Sequence, residues 1–110
     1  MSKIVKVEYK HEGNVFKTQY QYWCNGCGYE HAFSLKSEGG NHDFNMDLNN
    51  PTISPSLLQN FTPDKTCHSY IKEGKIQYLS DCWHKLKGQT IELPNIDDTP
   101  LKRLLKPEIE

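Results

Sequence analysis

The sequence lacks any apolar run long enough for a membrane span or a signal peptide. It also lacks an excess of charge of one sign, because 13 basic residues stand against 14 acidic ones and the net charge is -1. No broad electrostatic field therefore favours nucleic acid or an anionic membrane as a partner. We expect a cytoplasmic protein, and in that compartment four cysteines predict metal ligands rather than disulfides.

Several signatures of catalysis are missing as well. We find no glycine-rich phosphate loop, no dinucleotide fingerprint and no Ser-His-Asp order of the kind that marks a serine hydrolase. Neither the His-Glu-x-x-His pattern nor that of the zinc deaminases occurs. The sequence therefore predicts none of these enzyme classes.

Apolar residues are scarce, at 35% of 110, and the mean hydropathy is -0.77. A small apolar supply suits a single domain over residues 1–110 that a metal ion helps to stabilise. Apolar and polar residues alternate over residues 4–9 and 15–23, and again on both sides of Gly74, which predicts two β-hairpins. We predict a mainly β fold, with a small α+β fold as the alternative, made of zinc-ribbon-like hairpins around one metal site.

The other segments give weaker signals. Residues 36–50 predict a long ordered loop, and residues 51–58 an edge or irregular segment, because a central strand does not tolerate two prolines. Residues 88–94 predict a short strand, and residues 99–106 one or two helical turns.

The strongest local motif is Cys24-x-x-Cys27-Gly28. A spacer of two residues lets both thiolates reach one ion, and the glycine permits the tight turn that follows. A redox dithiol has the same spacing, but no βαβ pattern surrounds this motif. The hairpin around Gly74 carries the second pair of cysteines, Cys67 and Cys82, so we predict a Zn²⁺ site with all four as ligands.

The register of that hairpin orients its side chains. If Ile71 pairs with Ile76, side-chain alternation puts Cys67, Cys82 and His84 on one face. The fourth ligand stays open at this point, with His84 and His31 as alternates to Cys82.

His68 and Asp81 lie on the opposite face of the same hairpin. The simplest interpretation of His68 is a histidine that is hydrogen-bonded to Asp81. If the protein is an enzyme, these two residues are the candidate catalytic acid and base.

A set of ordered motifs from Trp23 to Pro94 resembles a family of small bacteriophage and prophage proteins of unknown function, some of which carry the label "ammonia monooxygenase". The resemblance implies a phage origin, the host bacterial cytoplasm and a metal site. It divides the chain into an N-terminal hairpin extension (1–22), a family core (23–94) and a tail (95–110). The motifs are Cys24-x-x-Cys27-Gly28-x-x-His31, Pro51-Thr52-x-x-Pro55-Ser56, Cys67-His68-Ser69-Tyr70-Ile71, Gly74-Lys75-Ile76-Gln77, Leu79-x-Asp81-Cys82-x-His84 and Leu86-x-Gly88-Gln89-Thr90-Ile91-x-Leu93-Pro94.

Two functions follow as hypotheses. The first is a zinc-stabilised module that binds a host factor, with a host protein favoured over nucleic acid because the net charge is close to zero. The alternative is a zinc-dependent hydrolase of a nucleotide or another small molecule, with His68 or Asp81 as the base. The segment from Pro51 to Ser56 is interpreted as a proline-fixed edge whose hydroxyl groups cap backbone groups, with a rigid loop that lines a groove as the alternative.

Overall fold

The computed structural model describes residues 2–60 and 62–105, and this part of the chain is mainly β, as predicted. Its strands form two antiparallel sheets, of three and five strands. The strands are β1 (Val5–His11), β2 (Asn14–Cys24), β3 (Tyr29–Phe33), β4 (Asp43–Phe44), β5 (Ile53–Asn60), β6 (Thr66–Lys72), β7 (Lys75–Tyr78) and β8 (Thr90–Glu92). Three short 3-10 helices span Lys36–Glu38, Ile96–Asp98 and Pro100–Leu105.

The main core lies between the two sheets. The first sheet, in the order β1-β2-β3, contributes buried side chains such as Tyr22 and Phe33. The second, in the order β4-β5-β6-β7-β8, contributes Leu57 and Ile71, among others. Strands β6 and β7 bury alternate side chains, so one face of the second sheet lines the core and the other faces solvent.

The second hairpin has the predicted register as far as the strands extend. Ile71 pairs with Ile76, and Ser69 with Tyr78. The prediction that the strand continues to Cys82 is wrong, because β7 ends at Tyr78. The chain then turns, and the Cys82 amide donates to the Leu79 carbonyl at 3.1 Å. Side-chain alternation therefore says nothing about the faces of the residues after Tyr78.

The proline-rich segment is not at an edge. It forms β5, which lies between β4 and β6. The register shifts between Ile53, opposite Ile71, and Leu57, opposite Ser69, so that three residues of β5 stand against one of β6. A bulge of this kind accommodates Pro55, which has no amide to donate, and it changes the direction of nearby side chains.

The C-terminal elements pack on the first sheet. Ile96 and Leu101, from the last two 3-10 helices, form a small second core with Val5. The predicted short strand is confirmed as β8 and the predicted helical turns as the helix Pro100–Leu105, while residues 106–110 of the predicted tail lie outside the described residues. Among the described residues, no helix is long and apolar enough to cross a membrane.

Candidate active site and metal centre

Three cysteines and one histidine form a compact group between the sheets. One ligand atom from each of Cys24, Cys27, Cys67 and His84 lies within 4.8 Å of all the others. The two buried sulfurs, Cys24 and Cys67, are 3.9 Å apart, and Cys67 Sγ is 3.4 Å from His84 Nε2. Tetrahedral zinc with bonds of about 2.3 Å to sulfur and about 2.0 Å to nitrogen would separate its ligand atoms by about 3.5–3.8 Å. The group therefore has dimensions that suit a metal ion.

Local structure holds the sulfurs in place. The Gly28 amide donates to the Cys24 carbonyl at 2.8 Å and the Cys27 amide to Cys24 Sγ at 3.3 Å, which closes the turn after β2. The Trp83 indole donates to Cys27 Sγ at 3.4 Å, and the Tyr78 hydroxyl lies 3.3 Å from Cys24 Sγ. Such outer contacts orient metal ligands and are part of a working metal site.

The thiols compete for one negative charge. A hydrogen bond from Cys67 lowers the pKa of the Cys24 thiol to about 3, and the same contact raises the pKa of Cys67. Burial raises the pKa of Cys27. One thiolate thus forms at the expense of its neighbours, whereas a divalent cation among the sulfurs would favour ionisation of all three.

The structure leaves two sequence candidates out of this group. The Cys82 thiol instead contacts the backbone of His68, donating to its carbonyl at 3.0 Å and accepting from its amide at 3.3 Å. His31 is buried beside Tyr22, and its Nδ1 lies 3.2 Å from the Glu30 carbonyl. Since β7 ends before Cys82, the turn brings His84 rather than Cys82 to the sulfurs.

Gly26 gives a direct test of the His84 position. A Cβ at Gly26 would overlap the His84 ring, whereas a Cβ at Gly28 would meet open space. We expect Gly26→Ala to displace the imidazole and to lose bound metal, measured as metal per chain by native mass spectrometry. Gly28→Ala is the matched control: its positive φ of 79° makes it a strained substitution, but it should keep the metal. Equal metal content in Gly26→Ala and wild type would contradict this placement of His84.

A second constellation lies on the opposite, solvent-facing side of β6. His68 Nε2 is 2.9 Å from Ser56 Oγ, and His68 Nδ1 is 3.1 Å from Asp81 Oδ2. Both distances are within hydrogen-bonding range. The Asp81 carboxylate accepts from Nδ1–H, which leaves the Nε2 lone pair free to accept the Ser56 proton. Serine, histidine and aspartate therefore form one continuous hydrogen-bonded chain.

A bulge in β5 and the turn after β7 bring Ser56 and Asp81 to His68, which lies on the regular strand β6. The bulge in β5 precedes Leu57 and directs Ser56 toward His68. The turn after β7 carries Asp81, and Cys82 in the same turn holds the backbone of His68 through the contacts described above. His42 Nε2–H donates to the Ser56 carbonyl at 3.2 Å and fixes the backbone of that residue.

The sequence prediction that no Ser-His-Asp order exists is therefore wrong. Ser56, His68 and Asp81 occur in that order and are in contact. The pairing of His68 with Asp81 is confirmed, but the interpretation of Ser56 as a backbone cap missed its contact with the imidazole. The sequence contained one signal for this site, because alternation along β6 already placed His68 on the face away from the metal ligands.

One family model matches the chain. It is BubE, described as a bacterial ubiquitination-like system serine protease, and it matches residues 3–79. The match includes the N-terminal hairpin, which was predicted to lie outside the family core. No curated protein and no solved structure matches the chain.

This match overturns the function predicted from sequence. A host-binding module and a zinc-dependent nucleotide hydrolase are both wrong, because the family is one of serine proteases. The predicted resemblance is confirmed only in part: the chain matches a small family, and that family is BubE. The phage origin and the host-protein partner stay predictions.

Proposed function

We propose, since the chain belongs to the BubE family of bacterial ubiquitination-like system serine proteases, that it is a serine protease with Ser56 as nucleophile. His68 is the general base, and Asp81 orients the imidazole. The observation that carries the proposal is the hydrogen-bonded chain of 2.9 Å and 3.1 Å through the two His68 nitrogens. This is the arrangement of roles on which serine hydrolases of unrelated folds converge.

The reaction follows from these contacts. Ser56 Oγ attacks the scissile carbonyl carbon while His68 Nε2 takes its proton, and Asp81 stabilises the imidazolium that forms. Nε2–H then protonates the leaving amine as the C–N bond breaks, which leaves an ester of the substrate acyl group on Ser56. In the second half, His68 takes a proton from water, the hydroxide displaces the Ser56 oxygen from the acyl carbon, and the serine regains its proton.

We propose Zn²⁺ at the Cys24, Cys27, Cys67 and His84 group. Three thiolates and one imidazole are a ligand set that zinc favours, and four protein ligands leave no open position for substrate or water. When bound, the ion supplies structural stability. Cys67 and His68 are adjacent on β6 with side chains on opposite faces, so the group that fixes Cys67 also fixes the strand that carries the base.

The family description supports a protein substrate. We propose that the chain, as a member of a family described as a serine protease of a bacterial ubiquitination-like system, cleaves a peptide or isopeptide bond in a protein of that system, in the bacterial cytoplasm. Ser56 and His68 are both only partly buried, which suits a polypeptide that reaches the site from solvent.

Labelling with a small alkyl fluorophosphonate tests the proposed nucleophile. The Ser56 oxygen displaces fluoride from phosphorus while His68 takes the proton, and the adduct adds one phosphonyl group to the chain. We expect one adduct at Ser56 by peptide mass spectrometry, no adduct in Ser56→Ala, and normal labelling in Ser37→Ala, which alters an exposed serine. A folded protein that is not labelled, or is labelled elsewhere, would refute the assignment of Ser56.

A further inference from the structure

A groove of about 440 Å³ lies on the solvent-facing side of the five-stranded sheet. Volumes of this order are typical of ligand-binding sites. The residues of its wall that matter here are Ser54, Tyr70, Lys72, Gln77 and Thr90. They come from β5, β6, β7 and β8, so the groove crosses four neighbouring strands.

The groove lies on the same side of the sheet as the triad, and its wall includes Ser54 and Tyr70, each two residues along its strand from a triad member. Along β6, Ser69 and Ile71 point into the core, so His68 and Tyr70 share the solvent-facing side. Two residues of a strand span about 6.6 Å, and an extended peptide rises about 3.3 Å per residue. When the scissile bond of a substrate lies at Ser56, about the second residue from that bond therefore lies at Tyr70.

The wall offers both apolar and polar contacts. The Tyr70 side chain is 47% exposed and stands beside Gln77, its partner across the strands. Gln77 in turn faces Thr90, and neither side chain has a hydrogen-bond partner among the described residues. Lys72 has no ion-pair partner in the described part of the chain, whereas Lys75 lies 3.6 Å from Glu92. An aromatic face, free amide and hydroxyl groups and a free cation suit an extended peptide with an apolar residue followed by an acidic one.

We infer that this groove binds the extended polypeptide segment on one side of the scissile bond, with Tyr70 contacting the second residue from that bond. The inference rests on the proposed protease function, because it takes Ser56 as the point of cleavage. Tyr70 is then a specificity-determining residue that touches substrate but takes no part in proton transfer.

The test separates the groove from the triad. Wild type, Tyr70→Ala and Thr90→Trp are compared on the small fluorophosphonate and on a proteome-derived peptide library whose cleavage products are sequenced. We expect unchanged phosphonate labelling in all three, because that probe is too small to reach the groove. Tyr70→Ala should lose the preference at the second position and cleave the preferred peptides about tenfold more slowly, and Thr90→Trp should fill the groove and slow them similarly.

Phe16→Ala is the matched control, since Phe16 is an aromatic residue, 67% exposed, on the first sheet. It should leave library cleavage unchanged, and circular dichroism should show that all variants are folded. If wild type is labelled but cleaves no library peptide, or if Tyr70→Ala keeps the wild-type preference, the groove does not select substrate and the inference fails. Absence of labelling in wild type would instead refute the triad.

Discussion

Hydrolysis of a small activated ester is expected to fall about 10,000-fold or more in His68→Ala, and by a similar factor in Ser56→Ala and in the double variant. The reason is that Ser56 and His68 act as one unit: without the imidazole the hydroxyl keeps its proton, and without the hydroxyl the imidazole has no proton to take. The second substitution therefore causes no further loss of the hydrolysis rate. Initial rates with p-nitrophenyl acetate measure all three.

The controls distinguish chemistry from damage to the fold. His11→Ala changes an exposed histidine at the end of β1 and should hydrolyse the ester at the wild-type rate. The rate of ester hydrolysis by Asp81→Asn should lie between that of His11→Ala and that of His68→Ala, about 100- to 10,000-fold below wild type. The reason is that the amide of asparagine no longer favours the Nδ1–H tautomer of His68. Losses in Ser56→Ala and His68→Ala that multiply in the double variant would show that the two side chains do not work together.

The strand pattern allowed much of the fold to be predicted, but only part of the site. The pairing of Ile71 with Ile76 follows from alternation and from the Gly74 turn, and it correctly separates Cys67 from His68. Alternation fails where strands end or bulge. The end of β7 at Tyr78 decides between Cys82 and His84, and tertiary contacts rather than local sequence set that end.

Strand alternation could not predict the contact between Ser56 and His68 either, because β5 contains a bulge. Three residues of β5 stand opposite one of β6, and no propensity of Ser54, Pro55 or Ser56 gives the size of that shift. The bulge forms because Ile53 and Leu57 both point into the core, where they are 2% and 1% exposed. Burial of these two side chains fixes the register on either side and pushes the residues between them outward.

β6 connects the two centres through a single backbone. Its core-facing side carries Cys67, and its solvent-facing side carries His68 and Tyr70. The turn after β7 adds a partner to each centre, with Asp81 for the imidazole and His84 for the sulfurs. Loss of the metal should therefore disturb the catalytic residues, even though none of them is a ligand.

Removal of the proposed zinc ion is expected to unfold the protein. A structural zinc contributes about 10–16 kcal/mol of apparent binding free energy, which matches or exceeds the net stability of about 5–15 kcal/mol of a typical domain. Without the cation, the buried thiols of Cys24 and Cys67 compete for one negative charge inside the core. Chelation should abolish the β signal in far-ultraviolet circular dichroism and, with it, fluorophosphonate labelling.

Substitution of single residues identifies the ligands behind this effect. Cys67→Ser and His84→Ala should each lose the zinc and the folded spectrum, as native mass spectrometry and circular dichroism would show. Cys82→Ser should keep one zinc per chain, because the serine hydroxyl can still donate to the His68 carbonyl and accept from its amide. Zinc that is lost in Cys82→Ser but kept in His84→Ala would instead favour the four-cysteine site. A folded, metal-free wild type would show that the two sheets hold the triad without any cation.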